Sequence, residues 1–181
     1  KGKTLDQAQS IKNIDIATGV YLSAVENNGA KLSDGRFIAS QTIISTIGLV
    51  ASSLCNFFKG EKDNLGRLHV NEYLKLAEYN NVIAAGDVAN IPVDDKGNSS
   101  LMACQFSMFL GKWAGHNAVN SLFSQPLKPY HYTDYVTCLD LGQEDGLLTT
   151  GWERSLAVSG LEGKTIKMEV TTKLIYPADD V

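Results

Sequence analysis

The segment NNVIAAGDVANIP at 80–92 constrains this chain more than any other part of it. Turn residues lead into a short apolar strand, Val82–Ala85, that ends on Gly86-Asp87. A polar loop, VDDKGNSS at 93–100, then leads into LMACQFSMFLGKWAGHNAVNSLF at 101–123, the longest helix-forming run in the sequence. That run is apolar round most of its helical circumference, the pattern of a buried helix, with Ser99 and Ser100 as its candidate N-caps. A short buried parallel strand would place Asp87 at its carboxyl end, where open α/β sheets bind their ligands. A carboxylate only accepts hydrogen bonds, so Asp87 suits a sugar or polyol hydroxyl. The helix start, near Met102–Gln105, offers unpaired N–H groups and the positive end of a dipole.

Strand and turn signals surround this segment. VYLSAVE at 20–26 reads as a strand, Asn27-Asn28-Gly29 as a turn, and AKL at 30–32 as the returning strand. Ser33-Asp34-Gly35 is a second hairpin turn ahead of Phe37 and Ile38. TIISTIG at 42–48 is β-branched almost throughout and does not alternate, which predicts a strand covered on both faces. Residues 4–14 read as a short helix, 59–67 as a crossover or linker, and 68–76 as weakly extended. Pro126 and Pro129 mark a boundary, beyond which 130–176 reads as strands: YVTCLDL, a turn at Gln143–Gly146, GLLTTGW, and finally IKMEVTTKLIYP.

From Phe37 to Phe58 there is no charge, a length that would span a membrane. Ser40, Gln41, Thr42, Ser45, Thr46, Ser52, Ser53 and Asn56 would be costly in lipid, so the stretch reads as a buried strand followed by a loop. Lysine plus arginine number 16 against 20 acidic residues, and a net charge of −4 excludes a nucleic-acid surface. Cys55, Cys104 and Cys138 are far apart and form no CxxC, so they read as scattered buried thiols of a reduced cytoplasm, not as a zinc or redox pair. His69, His116 and His131 are too scattered for a metal site. Phe106, Phe109 and Trp113 follow helical spacing and read as core. No secretory signal opens the sequence.

Taken in order, TIISTIG, GRLHVNEYLKLAEYNNVIAAGDVANIP and the long helix resemble the C-terminal half of FAD-dependent pyridine-nucleotide oxidoreductases, over roughly residues 15–123. Within them the chain is most similar to the type II NADH dehydrogenase-like branch, which includes apoptosis-inducing-factor-like proteins. LGQEDG at 141–146 and Gly151-Trp152 are similar to that branch's C-terminal region. Glutathione-reductase-like members carry a His-Pro-Thr segment, and here His131 is followed by Tyr132.

The resemblance implies an α/β fold made of portions of two dinucleotide-binding domains plus a small β-rich region. Residues 1–52 would end the nicotinamide-binding domain, 53–124 would be the second half of the FAD-binding domain, and 125–181 the C-terminal domain. It implies FAD as cofactor and NAD(P)H as substrate. Gly86 and Asp87 match the flavin fingerprint, and Ala103, Cys104 and Gln105 the stretch whose N–H groups approach the isoalloxazine. Gly48 matches the glycine closing the nicotinamide-domain strand. Gln105 and Gly111 fit the quinone-reducing pattern, but Phe109-Leu110 stand where it has paired glutamines, so the acceptor is left open.

The sequence contains no GxGxxG, the phosphate-cradling loop such enzymes need twice. With Lys1 in place of a Met, this predicts a piece of a longer protein, inactive and weakly binding when isolated. Cytoplasmic placement is expected, with peripheral contact to the inner membrane and homodimerisation left open. Two rivals stand beside this reading: a cofactor-free association module with unpaired strand edges, and a sulfide:quinone or ferredoxin-type reductase on the same scaffold.

Overall fold

A computed structural model describes residues 15–132, 134–142 and 145–175. The helix expected over 4–14, and Gln143-Glu144 of the expected turn, lie outside the described residues. The chain divides into two compact units, Lys1–Gly48 and Leu49–Val181.

In the first unit, β1 (Leu22–Glu26), β2 (Gly29–Leu32) and β3 (Phe37–Ala39) form an antiparallel meander in that order. Both turns are where the local chemistry puts them. Asn27-Asn28 joins the paired Glu26 and Gly29. At the second turn Asp34 accepts the Arg36 N–H at 3.1 Å and its guanidinium at 2.6 Å, while Gly35 takes φ +89°. The TIISTIG strand is a correction. No ladder forms over 42–48, and Ile44 and Ile47 are 82% and 86% exposed. The Ser40 hydroxyl bonds Thr42 at both its N–H and its carbonyl, turning the chain out of β3. A strand exists only through a neighbour's backbone, and this segment meets none among the described residues.

The second unit opens with a 3₁₀ turn, Ser53–Phe57, capped by the Ser52 hydroxyl. Among the described residues no helix is long and apolar enough to cross a membrane. Its parallel ladder is two residues long, β4 (Leu68–His69) against β5 (Ala89–Asn90). Val82–Ala85, expected as a parallel strand, instead folds back antiparallel on 74–76. Ala84 donates to the Leu74 carbonyl, Leu76 to that of Val82, and Lys75 faces Ile83. The turn closed by the Tyr79 N–H on the Leu76 carbonyl, with the bend at Asn80-Asn81, brings the segment first to its sequence neighbour, and the parallel partner of β4 comes from beyond Asp87.

A buried polar network holds this ladder. Arg67 Nε lies 2.6 Å from Asp63 Oδ2, with side chains only 9% and 12% exposed. Arg67 also reaches the Ser100 carbonyl at 2.5 Å, and Asn90 donates to Asp63 at 3.2 Å. Burial pushes the Asp63 carboxyl up, but the N–H groups of Arg67 and Leu65 and the guanidinium outweigh it and hold the carboxyl below its ordinary value. A depressed carboxyl contributes stability above its unfolded-state pKa and loses it as pH falls through the folded one. The urea midpoint is therefore expected to fall below about pH 4, and Asp63→Asn should flatten that slope, as unfolding curves across the acid range would show.

The long helix, α1, spans Cys104–Leu122, starting later than the sequence suggests. Neither serine caps it. Ser100 is buried, its hydroxyl donating to the Ala89 carbonyl and accepting from the Ile91 N–H, while the N-cap position is Ala103, which makes no side-chain cap. Its inward stripe is Phe106, Leu110, Trp113 and Asn117, at helical spacing. Asn117 is fully buried and satisfied by the Tyr73 and Lys128 carbonyls and the Lys128 N–H. Met108, Val119 and Leu122 are exposed, so all-round burial is not what this helix shows.

Beyond Pro129, β6 (Val136–Asp140), β7 (Gly146–Thr150) and β8 (Ser155–Ser159) form an antiparallel sheet in that order. The last expected strand is a helix, α2 (Leu161–Glu169), continuing as a π turn over Val170–Leu174. The hydroxyls of Thr165, Thr171 and Thr172 bond the carbonyls four residues back, which accommodates β-branched residues in a helix. Gly163 lies directly on Gly146, where a Cβ would stand 2.5 Å from Lys164 N, and Lys164 Nζ reaches Asp140 at 2.6 Å. Sheet and helix thus meet through backbone.

Candidate functional site

Ala85 is extended, Gly86 takes φ +71°, and Gly86–Val88 form a 3₁₀ turn before β5. A left-handed φ favours glycine, and this one swings Asp87 toward the first turn of α1. There the Ser107 hydroxyl donates to Asp87 Oδ1 at 2.7 Å. The half-buried carboxylate accepts no backbone N–H among the described residues, so Asp87 does not cap its own turn. Among the described residues no donor reaches its second oxygen.

At the start of α1, the N–H groups of Phe106 and Ser107 turn back to the Ala103 carbonyl, and the Ala103 N–H, expected to face a ligand with those of Cys104 and Gln105, is instead taken by the Leu101 carbonyl at 2.9 Å. Those of Cys104 and Gln105 have no acceptor within the helix and Ala103 supplies no side-chain cap, while the Asp87 carboxylate on Ser107 lies beside this positive end of the dipole. Cys104 is exposed, a correction to the reading of three buried thiols; Cys55 is buried, Cys138 half-buried, and all are free. Gln105 is occupied as a side chain. Its amide nitrogen donates to the Val136 carbonyl at 2.9 Å, and its oxygen accepts from the Tyr132 hydroxyl at 2.8 Å and the Val136 N–H at 3.3 Å. Only its backbone is available to a ligand.

Aromatic packing fixes this helix start. Phe106 is fully buried against Tyr132, Tyr135 and Trp152, and Phe109 stacks on Tyr132 with centroids 4.2 Å apart. These rings are core, as their spacing suggests. Gly86, Asp87, Ala103, Cys104 and Gln105 thus belong to one unit, and Gly48 to the other. Gly48 takes φ +104°, and a Cβ there would meet nothing within 4 Å, so its backbone angle is what calls for glycine. Among the described residues no group of His, Cys, Asp and Glu is placed to hold a metal.

Two features escape sequence reasoning. Ser107 carries no periodic signal that ties it to Asp87, twenty residues away. The Asp63–Arg67 pair does carry one, an acid and a base four residues apart, but nothing local says that it is buried.

An acceptor-only carboxylate beside the open N-terminus of a helix fits a ligand with hydroxyls on one part and an electron-rich edge on another. No family model matches the chain. NADH dehydrogenase-like proteins from two strains of Mycobacterium tuberculosis are each 39% identical over 173 residues, covering 96% of this chain and 43% of their own length. Ferroptosis suppressor protein 1 of Xenopus laevis is 33% identical over 150 residues, 81% of this chain and 38% of its own length. The chain therefore spans less than half the length of these relatives, and along nearly all of its own length it is a homologue of NADH dehydrogenase-like proteins.

Proposed function

We propose that the intact protein is a flavoprotein oxidoreductase that takes hydride from NAD(P)H onto FAD and passes electrons to an acceptor such as a quinone. The observation that carries this reading is the Gly86-Asp87 turn, with its carboxylate held by Ser107 against the uncapped start of α1. Residues 1–52 are assigned to the nicotinamide-binding domain, 53–124 to the FAD-binding domain and 125–181 to a C-terminal domain. A bound flavin supplies hydride acceptance and electron transfer, chemistry no side chain here performs. This chain's residues bind and bias it. Asp87 would accept a ribityl or phosphate-side hydroxyl. The N–H groups of Cys104 and Gln105, with the helix dipole behind them, favour negative charge at the N1–C2=O edge. Gly86 allows close approach, and Gly48 serves the nicotinamide side.

Excess NADH or NADPH, added anaerobically to the purified intact protein, should bleach its flavin absorption, and a short-chain quinone should restore it. Flavin bands that neither nucleotide bleaches would overturn the hydride-transfer assignment; bleached bands that no quinone restores would exclude that acceptor.

A further inference from the structure

Most aspartates described in this chain are held by backbone. Asp34, Asp63, Asp94, Asp140 and Asp145 each accept at least one backbone N–H. Asp87 differs: among the described residues its single donor is the Ser107 hydroxyl, which comes from another element. The hydroxyl is equally distinctive. A serine or threonine inside a helix commonly returns its proton to the carbonyl four residues back, as Thr165 does in α2 and Thr171 and Thr172 do in the π turn that continues it. For Ser107 that carbonyl belongs to Ala103, which already accepts the N–H groups of Phe106 and Ser107. The Ser107 proton goes across to Asp87 instead.

We propose that Ser107 is a positioning residue, whose hydroxyl fixes the Asp87 carboxylate so that its second oxygen meets a hydroxyl of the bound ligand. This rests on the flavin reading above. A single charge-assisted bond at 2.7 Å is short enough to set the orientation of the carboxylate. Without it the carboxyl turns freely about its Cβ–Cγ bond, and the ligand must order it on binding. The bond also ties the turn that carries Asp87 to the first turn of α1, so the carboxylate and the N–H groups of Cys104 and Gln105 are held in one frame. Ser107 makes no contact with the ligand in this scheme and acts only through Asp87.

The test is a double-mutant cycle on the intact protein, freed of flavin and titrated with FAD by fluorescence quenching, with apo-protein melting temperatures alongside. Ser107→Ala should weaken FAD binding about tenfold, and Ser107→Thr, which keeps the hydroxyl, should stay within about twofold of wild type. In an Asp87→Ala background, Ser107→Ala should add less than about twofold, because its effect passes through the missing carboxylate. Losses that add in full, or a fall in apo-protein melting temperature that accounts for them in both backgrounds, would overturn the positioning role and leave the flavin reading standing. So would an Ser107→Ala variant that binds FAD as wild type does. A wild-type apo-protein that takes up no FAD would overturn both.

Discussion

Replacing Arg67 by Met is expected to cost the folded protein about 3–5 kcal/mol. The guanidinium is almost wholly buried, with Nε on Asp63 and Nη1 on the Ser100 carbonyl. Methionine fills much of the space but donates nothing, so the Asp63 carboxylate is left at 12% exposure without its counter-charge. Among the described residues it keeps only the N–H groups at 65 and 67 and the Asn90 amide. Against a typical domain stability of about 5–15 kcal/mol this is a large fraction. The damage should extend to the site, since Ser100 is three residues before the N-cap of α1 and its carbonyl is one of the ties on that approach. Urea unfolding at neutral pH measures the loss. A cost below about 1 kcal/mol would mean that the pair is solvated and contributes as a surface bridge does. Converting both residues together, Asp63→Leu with Arg67→Met, should cost less than Arg67→Met alone, because no charge is stranded.

Hairpins were legible in the sequence because their information is local. Asn27-Asn28 and Asp34-Gly35 carry their own turn chemistry, and the strands flanking them follow. Segments whose state depends on a distant partner were not legible. TIISTIG has strand composition but meets no ladder among the described residues, and Val82–Ala85 pairs with the chain just before it. At 166–174 the run of β-branched residues points to a strand, yet Gly163 on Gly146, the Lys164–Asp140 pair and threonine hydroxyls bonded within the helix decide otherwise. The candidate site divides in the same way. Gly86-Asp87 and the start of α1 stand out by spacing, whereas the Ser107 bond and the engagement of the Gln105 side chain with Tyr132 and Val136 arise only from packing. Ser99 and Ser100 have the right chemistry for N-caps, but β5 claims the Ser100 hydroxyl first.

Asp87→Ala carries the largest expected effect on ligand binding. Its carboxylate supports no backbone of its own, so removing it should leave the fold close to intact; the Ser107 hydroxyl is half-exposed and can turn to water. What is lost is an ionised acceptor for a ligand hydroxyl, a bond of about 1.5–3 kcal/mol, or about 10- to 150-fold in affinity. Asp87→Asn should fall between the two, since an amide oxygen still accepts but carries no charge. The most direct test of the central claim is the flavin bound per polypeptide in the intact protein and in its Asp87→Ala variant, purified side by side with matched melting curves. Stoichiometric FAD in the wild type and marked depletion in a variant that still folds is the predicted result. A wild type without flavin, or a variant that keeps its full complement, would contradict the account.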